Sequence, residues 1–583
     1  MSPPRPGYKV PMQDDTNSFT STVQELPSEI LLQILEQMDY HELILISYVS
    51  LSISLSESVK RIQLQSSLRF IRDLLIVKNY QAAVAGLELG PAARQYPVLH
   101  KSELLNRFRS AWEFPYSDNF IAHSLFLKTP NEPGHPPQFD QGILAHILAG
   151  FRDIEFISFY SSLNQIEEKR WTFHFHFDIK HFYICSSQDL LILVQQPDQP
   201  NSRENFYVRY HHMSTGRPHK NACHTIGPTI PIDIRLSAPR CTVYGDTIAM
   251  LIPRWRDSPL IQLWNWKSGL NHLNIRNAIK RRNSSQPNNY WDLCFLDADH
   301  ILLSNSCAGV EDSHDIATLD IVDIRKGDRA VVNALHFYLP DLSPGTTIRN
   351  ISITTSPSHS GVSGSLSSSS SYIFQTNNKS SFIAIGMNFL SRGVPDYATY
   401  ETEYDSSSFQ IFVRKSTLVR LYHEWVLSQP HFSSHSQTRL RFGSIPWQSW
   451  GPRYTRILEL PSPVEGWALY GSRIVGIGHE YLWFCDFNIH PGIPDERPHF
   501  DVGSLDELPR PRSRLVRSPS FSNNKSFRDE VVTNLPFYSI STNIRHGAGR
   551  YGKVIFVGEC TVLVFVSHGL LGSQKVDVYT LQF

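Results

Sequence analysis

The sequence predicts a multidomain protein in which a small all-α N-terminal part precedes a large all-β domain. We interpret the β domain as a β-propeller of six to eight blades. Apolar residues recur at helical spacing from about residue 26 to residue 112. From about residue 131 they form short runs rich in β-branched and aromatic residues, separated by turns. Similar strand–turn–strand segments then recur at roughly 50 to 60 residues, a period typical of propeller blades.

The overall composition is that of a globular protein without a charge signature. The 583 residues are too many for one small domain, and 54 basic residues balance 54 acidic ones. We therefore expect no nucleic-acid partner. The chain has no stretch of about 18 apolar residues, and its N-terminus lacks the apolar run of a signal peptide. We expect no membrane partner and a cytoplasmic or nuclear location.

The cysteines are dispersed along the chain, and no pair has CxxC spacing. Their odd number also argues against a disulfide framework, and their spacing argues against a zinc ribbon. We interpret most of them as small buried residues, and we predict neither a metal nor a cofactor. They are Cys185, Cys223, Cys241, Cys294, Cys307, Cys485 and Cys560.

The first helices follow a polar, Pro-rich stretch, residues 1–24, which we predict to be a disordered tail. Pro27 suits a first helical turn, where the missing N–H has no partner anyway. Asp39 followed by Glu42 resembles a capping box that begins a second helix. The apolar face of the first helix comprises Ile30, Leu31, Ile34, Leu35 and Met38. A hairpin this short and apolar needs another surface to cover it.

Residues 25–60 resemble the F-box motif. The matching residues are Leu26-Pro27-Ser28-Glu29-Ile30-Leu31, Ile34-Leu35, Met38-Asp39 and Glu42-Leu43. The resemblance implies a three-helix module that binds a Skp-type adaptor, and through it a cullin, in a ubiquitin ligase. It also implies that the adaptor is bound by the apolar positions Leu26, Pro27, Ile30, Ile34, Leu35, Leu43 and Val49.

The end of this segment departs from the motif. After Val49 the family carries basic residues and a bulky aromatic residue, whereas this chain reads LSISLS from Leu51 to Ser56. Two hypotheses therefore stay open. The first is a substrate-recognition subunit of a Skp–cullin–F-box (SCF) ligase, whose β domain binds an unknown protein target through loops on one face. The alternative is a protein-interaction scaffold of the same build that works outside a ligase.

Residues 61–130 are predicted to form a helical linker between the two parts. One apolar stripe at helical spacing comprises Leu64, Leu68, Ile71 and Leu75. A second helix opens at Ser102-Glu103, and its stripe comprises Leu104, Leu105, Phe108 and Trp112. We interpret both stripes as packing surfaces rather than ligand sites.

The β domain spans residues 131–583. Its clearest repeats end at residues 210–216, 264–269 and 322–327, each in a polar turn that closes on glycine. Less regular copies lie at residues 381–417, 468–488 and 552–583. A closed ring favours such repeats because an open sheet leaves unpaired edges. A pair of β-sandwiches is the alternative that repeats this weak still allow.

Two further resemblances concern the second half of the chain. The segment LWNWKSG, residues 263–269, resembles a WD-type propeller blade without the full signature. Pro446-Trp447 and Trp450-Gly451-Pro452, together with the helix that carries Leu105, Arg109 and Trp112, resemble segments of fungal F-box proteins. This second resemblance implies no particular activity.

Two stretches are predicted to be flexible insertions, residues 352–371 and 505–528. The first is Ser-rich and cannot fill a core. The second is basic and contains Ser and Pro, and Ser518 before Pro519 is a candidate phosphorylation site.

No motif indicates an active site. Residues 547–554 fit a kinase-type glycine-rich loop, but only about thirty residues follow, too few for a catalytic loop. His174 and His176 could share one face of a strand, yet no third metal ligand is apparent. We therefore predict no catalytic residues. The enzyme alternative, a propeller hydrolase, predicts carboxylates or histidines clustered at one mouth of the central channel.

Overall fold

The computed structural model of the chain divides into two compact units, residues 1–81 and 82–583. The predicted tail 1–24, the segment 25–60 and all seven predicted adaptor-binding residues lie outside the described residues. The structure describes residues 87–113, 120–128, 136–164, 166–195, 206–223, 226–230, 239–253, 259–269, 271–274, 289–307, 315–325, 333–356, 373–376, 380–392, 404–429, 441–459, 467–477, 481–488, 512–517, 519–522, 526–545, 553–557, 561–566 and 573–581.

Within the described part of the chain, three elements come before the first blade. They are β1 (Leu87–Leu89), α1 (Val98–Glu113) and β2 (Phe120–Lys128), with a short 3₁₀ turn at Pro91–Gln95. The helix predicted from Ser102 begins four residues earlier, at Val98. Its predicted apolar stripe is buried, and Phe108 is completely inaccessible to solvent.

The first three blades are four-stranded antiparallel sheets built from consecutive strands. Blade 1 contains β3 (Gln138–Asp140), β4 (Ile143–Ile147), β5 (Asp153–Ser158) and β6 (Lys169–His174). Blade 2 contains β7 (Ile179–Cys185), β8 (Leu190–Gln195), β9 (Phe206–His212) and β10 (Ile226–Ile230), with a 3₁₀ turn at Ser186–Gln188. Blade 3 contains β11 (Arg240–Tyr244), β12 (Thr247–Ile252), β13 (Leu260–Asn265) and β14 (Asn271–Asn274).

An insertion within blade 5 contributes a strand to blade 4. Blade 4 contains β15 (Asn289–Phe295), β16 (His300–Cys307), β17 (Ile316–Asp323) and β18 (Asn333–Tyr338). Blade 5 begins with β19 (Thr346–Thr355); β20 (Phe374–Thr376), which pairs with β1, precedes β21 (Phe382–Arg392) and β22 (Tyr404–Arg414). The insertion then forms α2 (Lys415–Ser428), β23 (Arg441–Ile445) and α3 (Trp447–Tyr454), before β24 (Thr455–Glu459) completes blade 5. β23 pairs in parallel with β18 and gives blade 4 a fifth strand.

The last two blades bring the chain back to its beginning. Blade 6 contains β25 (Trp467–Tyr470), β26 (Arg473–Ile477) and β27 (Tyr481–Asp486), then β28 (Arg512–Val516) as a fifth strand outside β31 (Phe537–Arg545). A separate pair consists of β29 (Ser520–Ser522) and β30 (Val531–Thr533). Blade 7 contains β32 (Lys553–Val557), β33 (Thr561–Val566) and β34 (Ser573–Leu581), and its outer strand is β2.

The seven sheets form a propeller ring. In each blade we letter the strands a to d from the centre outward. The a strands of neighbouring blades lie side by side, as β11, β15 and β19 do. Blade 7 closes the ring because β2 pairs antiparallel with β34 along its whole length, from Phe120 with Leu581 to Lys128 with Ser573. The prediction of a propeller with six to eight blades is confirmed, and the β-sandwich alternative is wrong.

One apolar cluster fills each interface between neighbouring blades. Between blades 1 and 2, for example, Phe156 of β5 packs with Leu191 of β8, and both are fully buried. The remaining interfaces each have a cluster of the same kind. Inner strands are therefore covered on both faces, which explains why β8 reads LLILVQ and is buried at all six positions. Burying each such leucine or isoleucine stabilises the fold by roughly 1.5–3 kcal/mol.

A recurring hydrogen bond marks the turn end of the blades. The N–H of a residue just after strand c donates to the carbonyl of a residue just before strand b, with N···O distances of 2.7–3.1 Å. The donor–acceptor pairs in blades 1 to 6 are Phe159–Gly142, Met213–Asp189, Trp266–Asp246, Ile324–Asp299, Lys415–Ser381 and Phe487–Ser472. The turns that end the three clearest sequence repeats are thus equivalent positions in blades 2, 3 and 4.

The stretch predicted as a helical linker, residues 61–130, contains more than helix. Within its described part, β1 and β2 are strands, and β2 belongs to blade 7. Leu125 and Leu127 of β2 are buried and face blade 1 in the same cluster as Phe159. The alternating pattern of a strand is present in this segment, but its partner is more than 440 residues away in sequence, so local spacing alone did not reveal it.

The two predicted flexible insertions also contain ordered strands. Residues 352–355 belong to β19, and Ile353 is buried. In the second stretch, β28 pairs with β31, and Phe527 is buried against Phe409 with ring centres 4.9 Å apart. Apolar residues spaced among the arginines and serines explain this order. Ser518 lies outside the described residues.

Candidate functional site

The turns of the propeller define a face that we call the turn face. It carries the a–b turns and the c–d turns of the blades. In blade 3, Gly245 and Asp246 form the a–b turn, and Gly245 adopts a positive φ of 54° that glycine tolerates without strain. The Gly245 carbonyl accepts hydrogen bonds from Gln188 Nε2 of blade 2 at 2.7 Å and from Trp266 Nε1 at 3.3 Å. These bonds join two blades at one carbonyl.

Helix α1 is anchored to the turn face at blades 6 and 7. The guanidinium of Arg473 lies 4.7 Å from the ring centre of Phe108 and 5.2 Å from that of Trp112. Its Nε lies 3.3 Å from Asp486 Oδ2. Trp112 also meets Phe484 of β27 edge to face, with ring centres 5.4 Å apart. The helix is therefore packed as part of the propeller unit.

Asn164 fixes the β1–β20 pair to blade 1. Its Oδ1 accepts the N–H of Ile373 at 2.6 Å and that of Phe374 at 2.9 Å. Its Nδ2 donates to the Phe374 carbonyl at 3.3 Å. Because Asn164 is buried and uses both ends of its amide, the added strand pair is held by specific polar contacts.

The propeller channel holds a cavity of about 330 Å³ between the a strands of five blades. Its wall combines apolar, polar and thiol side chains. The lining residues are Pro136, Gln138, His181, Phe182, Tyr183, Pro239, Arg240, Cys241, Thr242, Asp292, Leu293, Cys294, Ile353, Thr354 and Thr355. None of them was predicted as a site residue. An aspartate inside the apolar strand β15 was the one sequence signal that pointed here.

Asp292 and Tyr183 join neighbouring blades around this cavity. Asp292 Oδ2 accepts the N–H of Ile353 in blade 5 at 2.9 Å, and its Oδ1 accepts the N–H of Leu293 at 2.9 Å. The Tyr183 hydroxyl donates to the Pro239 carbonyl of the segment before blade 3. Burial raises the pKa of the Asp292 carboxyl above its ordinary value, while Arg240 and the two N–H groups oppose this. The Asp292 carboxyl and the Tyr183 hydroxyl therefore hold neighbouring blades together.

The thiols near the cavity are not nucleophiles. Burial raises the pKa of Cys185 and that of Cys294 to about 12. Burial also raises the pKa of Cys241. Since the thiolate is the reactive form, these side chains stay protonated and unreactive at neutral pH. The described cysteines 185, 223, 241, 294 and 485 form no disulfides.

A histidine group lies on the turn face of blade 2. His212 and His219 stack with ring centres 4.0 Å apart. His212 Nδ1 lies 2.8 Å from Asp189 Oδ2, and its Nε2 accepts the N–H of Lys220 at 3.2 Å. The His219 Nε2–H donates to the Gln188 carbonyl at 3.2 Å. The His219 Nδ1 accepts the N–H of Asn221 at 3.3 Å, so each ring has one donating and one accepting nitrogen.

The structure separates the two histidines that were considered as metal ligands. His174 ends β6 and pairs with Asp153 at 2.7 Å, whereas His176 lies beyond the strand. Across the described residues, no group of three or more His, Cys, Asp or Glu side chains could hold a metal ion. The cavity wall contains one carboxylate, Asp292, and one histidine, His181. The clustered acids and histidines that a propeller hydrolase requires are not found in this wall.

Comparison with known proteins adds one family. The F-box domain family matches residues 23–53. This match covers Leu26, Pro27, Ile30, Ile34, Leu35, Leu43 and Val49, the residues predicted to bind an adaptor. No curated protein matches the chain.

Several solved structures are distantly similar. The chain is similar to the WD40 domain of SCAP from fission yeast at 9% identity and a TM-score of 0.34, with 80% of this chain and 99% of that one covered. It is also similar to the tricorn protease at 11% identity and a TM-score of 0.27, with 63% of this chain and 28% of that one covered. The S. cerevisiae core factor is similar at 10% identity and a TM-score of 0.26, with 79% of this chain and 61% of that one covered.

The domain content restricts the class of protein. Among the described residues, no helix is long and apolar enough to cross a bilayer. A propeller joined to an F-box is typical of non-catalytic adaptor or receptor proteins. The chain thus contains an F-box domain at residues 23–53 and a β-propeller ring of seven blades.

Proposed function

We propose that this protein is the substrate-recognition subunit of an SCF ubiquitin ligase. The F-box domain binds a Skp-type adaptor and, through it, a cullin. The propeller binds a protein target, so that target lysines reach a ubiquitin-loaded enzyme at high effective concentration. The chain itself contributes no catalytic residue and needs no cofactor. It acts in the cytoplasm, the nucleus or both.

The observation that carries this proposal is the F-box match at residues 23–53 in a chain that also contains a closed propeller. The ring offers rigid blades whose interfaces are filled by apolar clusters. Its loops can differ in sequence without changing the blades, which suits recognition of a specific partner. The raised thiol pKa values and the bonded Asp292 in the channel give no support to a catalytic alternative.

Seven residues are proposed to contact the adaptor. All are apolar, and all fall within the family match. When a partner covers an apolar surface of this kind, the complex is stabilised by roughly 25 cal/mol per Å² of apolar area buried. The residues are Leu26, Pro27, Ile30, Ile34, Leu35, Leu43 and Val49.

Co-purification tests the proposal. The full chain is expressed with a Skp-type adaptor, beside a variant that carries Leu26→Ala and Pro27→Ala. A third protein carries Leu427→Ala, a matched apolar change at a propeller residue that is 78% exposed. We expect stoichiometric adaptor with the wild type and with Leu427→Ala, and little with the double variant.

The same experiment separates the two hypotheses. The segment Leu51–Ser56 lacks the basic residues of the family, and this motivates the scaffold alternative. A wild-type protein that is folded but retains no adaptor would favour that scaffold over a ligase subunit. Equal retention by all three proteins would show that the adaptor binds elsewhere on the chain.

A further inference from the structure

The channel cavity has hydrogen-bonding capacity that the fold does not use. Five polar side chains line it and make no hydrogen bond to any other described residue. They are Gln138, Arg240, Thr242, Thr354 and Thr355. They come from the a strands of blades 1, 3 and 5, so they lie on different sides of one space. A wall with several unused donors is a site for a ligand rather than a packed core.

Arg240 supplies the positive charge of the wall. Arg240 is exposed, its charge acts on Asp292, and it forms no ion pair within 4 Å with an acid among the described residues. The nearest acid, Asp292, already accepts the N–H groups of Leu293 and Ile353. The Asp292 oxygens therefore hold these backbone groups, and the Arg240 guanidinium keeps its N–H donors available to a ligand. His181 also lines the cavity but is 8% exposed.

The size of the cavity limits the ligand. A volume of about 330 Å³ lies at the lower end of the range of roughly 300–1,000 Å³ that is usual for small-molecule pockets. A folded domain cannot enter it. The lining also includes Phe182, Leu293 and Ile353, which are buried in the clusters between blades and present apolar atoms beside the charged group.

We propose that this cavity binds a small organic anion, whose carboxylate or phosphate group pairs with Arg240. The guanidinium can donate two parallel hydrogen bonds to such a group. Gln138 and Thr242 supply further hydrogen bonds, and the ligand bridges blades 1, 3 and 5. It therefore stabilises the closed ring, since any ligand that binds only the folded state raises its apparent stability. The proposal does not depend on adaptor binding.

Calorimetric titration of the full chain tests this site. The probes are citrate and inorganic phosphate, added up to millimolar concentrations, with thermal unfolding as a second readout. Wild type is expected to bind at least one probe with one-to-one stoichiometry and to unfold at a higher temperature in its presence. Arg240→Gln should weaken this binding by about ten- to a hundred-fold, because it removes a charge-assisted hydrogen bond.

Two variants control the measurement. Arg217→Gln removes an exposed arginine on the turn face of blade 2 and should bind as the wild type does. Thr242→Val removes one hydroxyl from the wall at nearly constant volume and should weaken binding less than Arg240→Gln does. Failure of both probes to bind the wild type, or equal affinity in Arg240→Gln and wild type, overturns the proposal.

Discussion

Asp292 shows how one buried carboxylate can join two blades. Its Oδ2 accepts an N–H from Ile353 across the interface between blades 4 and 5. Ser304 reinforces the same interface, because its Oγ donates to the Ile351 carbonyl at 2.8 Å. Polar bonds between a strands therefore supplement the apolar clusters and fix how neighbouring blades meet.

Replacing Asp292 should destabilise the ring. Asp292→Ala leaves the buried Ile353 N–H without its acceptor, which costs about 1–3 kcal/mol. Asp292→Asn keeps one accepting oxygen and should cost less. The free energy of unfolding from urea denaturation measures both. Asp178→Ala, which removes an exposed acid paired with Arg152, should change little. Equal stability of wild type and Asp292→Ala would contradict the assigned role.

The histidines of blade 2 make stability depend on pH. Burial lowers the pKa of His219 and that of His211, and the neighbouring His212 lowers both as well. The charged groups that face His219 are Asp189 on the a–b turn and Lys267 of blade 3; Arg209 and His176 face His211. The unfolded chain binds these protons more readily than the folded protein. These two histidines therefore make their full contribution to stability above about pH 6.5. That contribution is lost as pH falls through their lowered pKa values.

Thermal unfolding across this pH range checks the expectation. Wild type should lose melting temperature steadily as pH falls below about 6.5. His219→Gln should lose less, since it removes one titrating ring and the repulsion within the stacked pair. Parallel pH dependence in the two proteins would contradict the assignment of this effect to His219.

Sequence patterns predicted turn residues better than channel residues. A polar turn that closes on glycine can be predicted from local chemistry, and Gly216 and Gly269 both adopt the positive φ of such a turn. Tyr183, Arg240 and Asp292 gain their roles only when blades 2, 3 and 4 are brought together. No local spacing records that proximity, so the cavity could not be predicted from the sequence.

At the scale of elements, strand β2 is the largest correction to the sequence-based account. Residues 120–128 lie inside the stretch predicted as a helical linker, yet they form the outer strand of blade 7. Their partner, β34, is at the other end of the chain. Helix α1 was predicted because its apolar spacing is local, whereas a strand that pairs over this distance leaves only a short alternating pattern.

Truncation tests the role of β2. A chain that begins at residue 82 keeps α1 and β2 and should unfold cooperatively. A chain that begins at residue 131 exposes the edge of β34 and should aggregate or melt at a clearly lower temperature. Soluble yield, circular dichroism and thermal unfolding measure the difference. Equal stability of the two chains would show that the ring does not need this closure.

Helix α1 should contribute strongly to the propeller unit. Trp112 is 4% exposed and packs against Phe484 and Arg473. Trp112→Ala should lower the free energy of unfolding of residues 82–583 by about 3–5 kcal/mol. Leu427→Ala, at an exposed position of α2, should change it by at most about 0.5 kcal/mol. A loss in Trp112→Ala as small as that in Leu427→Ala would mean that the helix is only loosely attached.

For the whole molecule, the sequence predicted the class of fold, and the structure supplied the number of blades. Repeats in blades 2, 3 and 4 end in similar turns, and these predicted a propeller. Blades 5 and 6 carry insertions, and blade 7 borrows its outer strand, so their sequences blur the repeat. The number of blades follows from strand pairing over long distances, which weak repeats do not encode.

The central claim is that the F-box domain joins this propeller to an adaptor and a cullin. Size-exclusion chromatography with light scattering, applied to the full 66.7 kDa chain mixed with a Skp-type adaptor and a cullin, tests it most directly. We expect one complex whose mass is the sum of the three proteins. Leu35→Asp should abolish it, because it places an unpaired carboxylate in an apolar interface, while leaving the propeller circular dichroism unchanged. A wild-type chain that elutes alone, with its propeller folded, would contradict the claim.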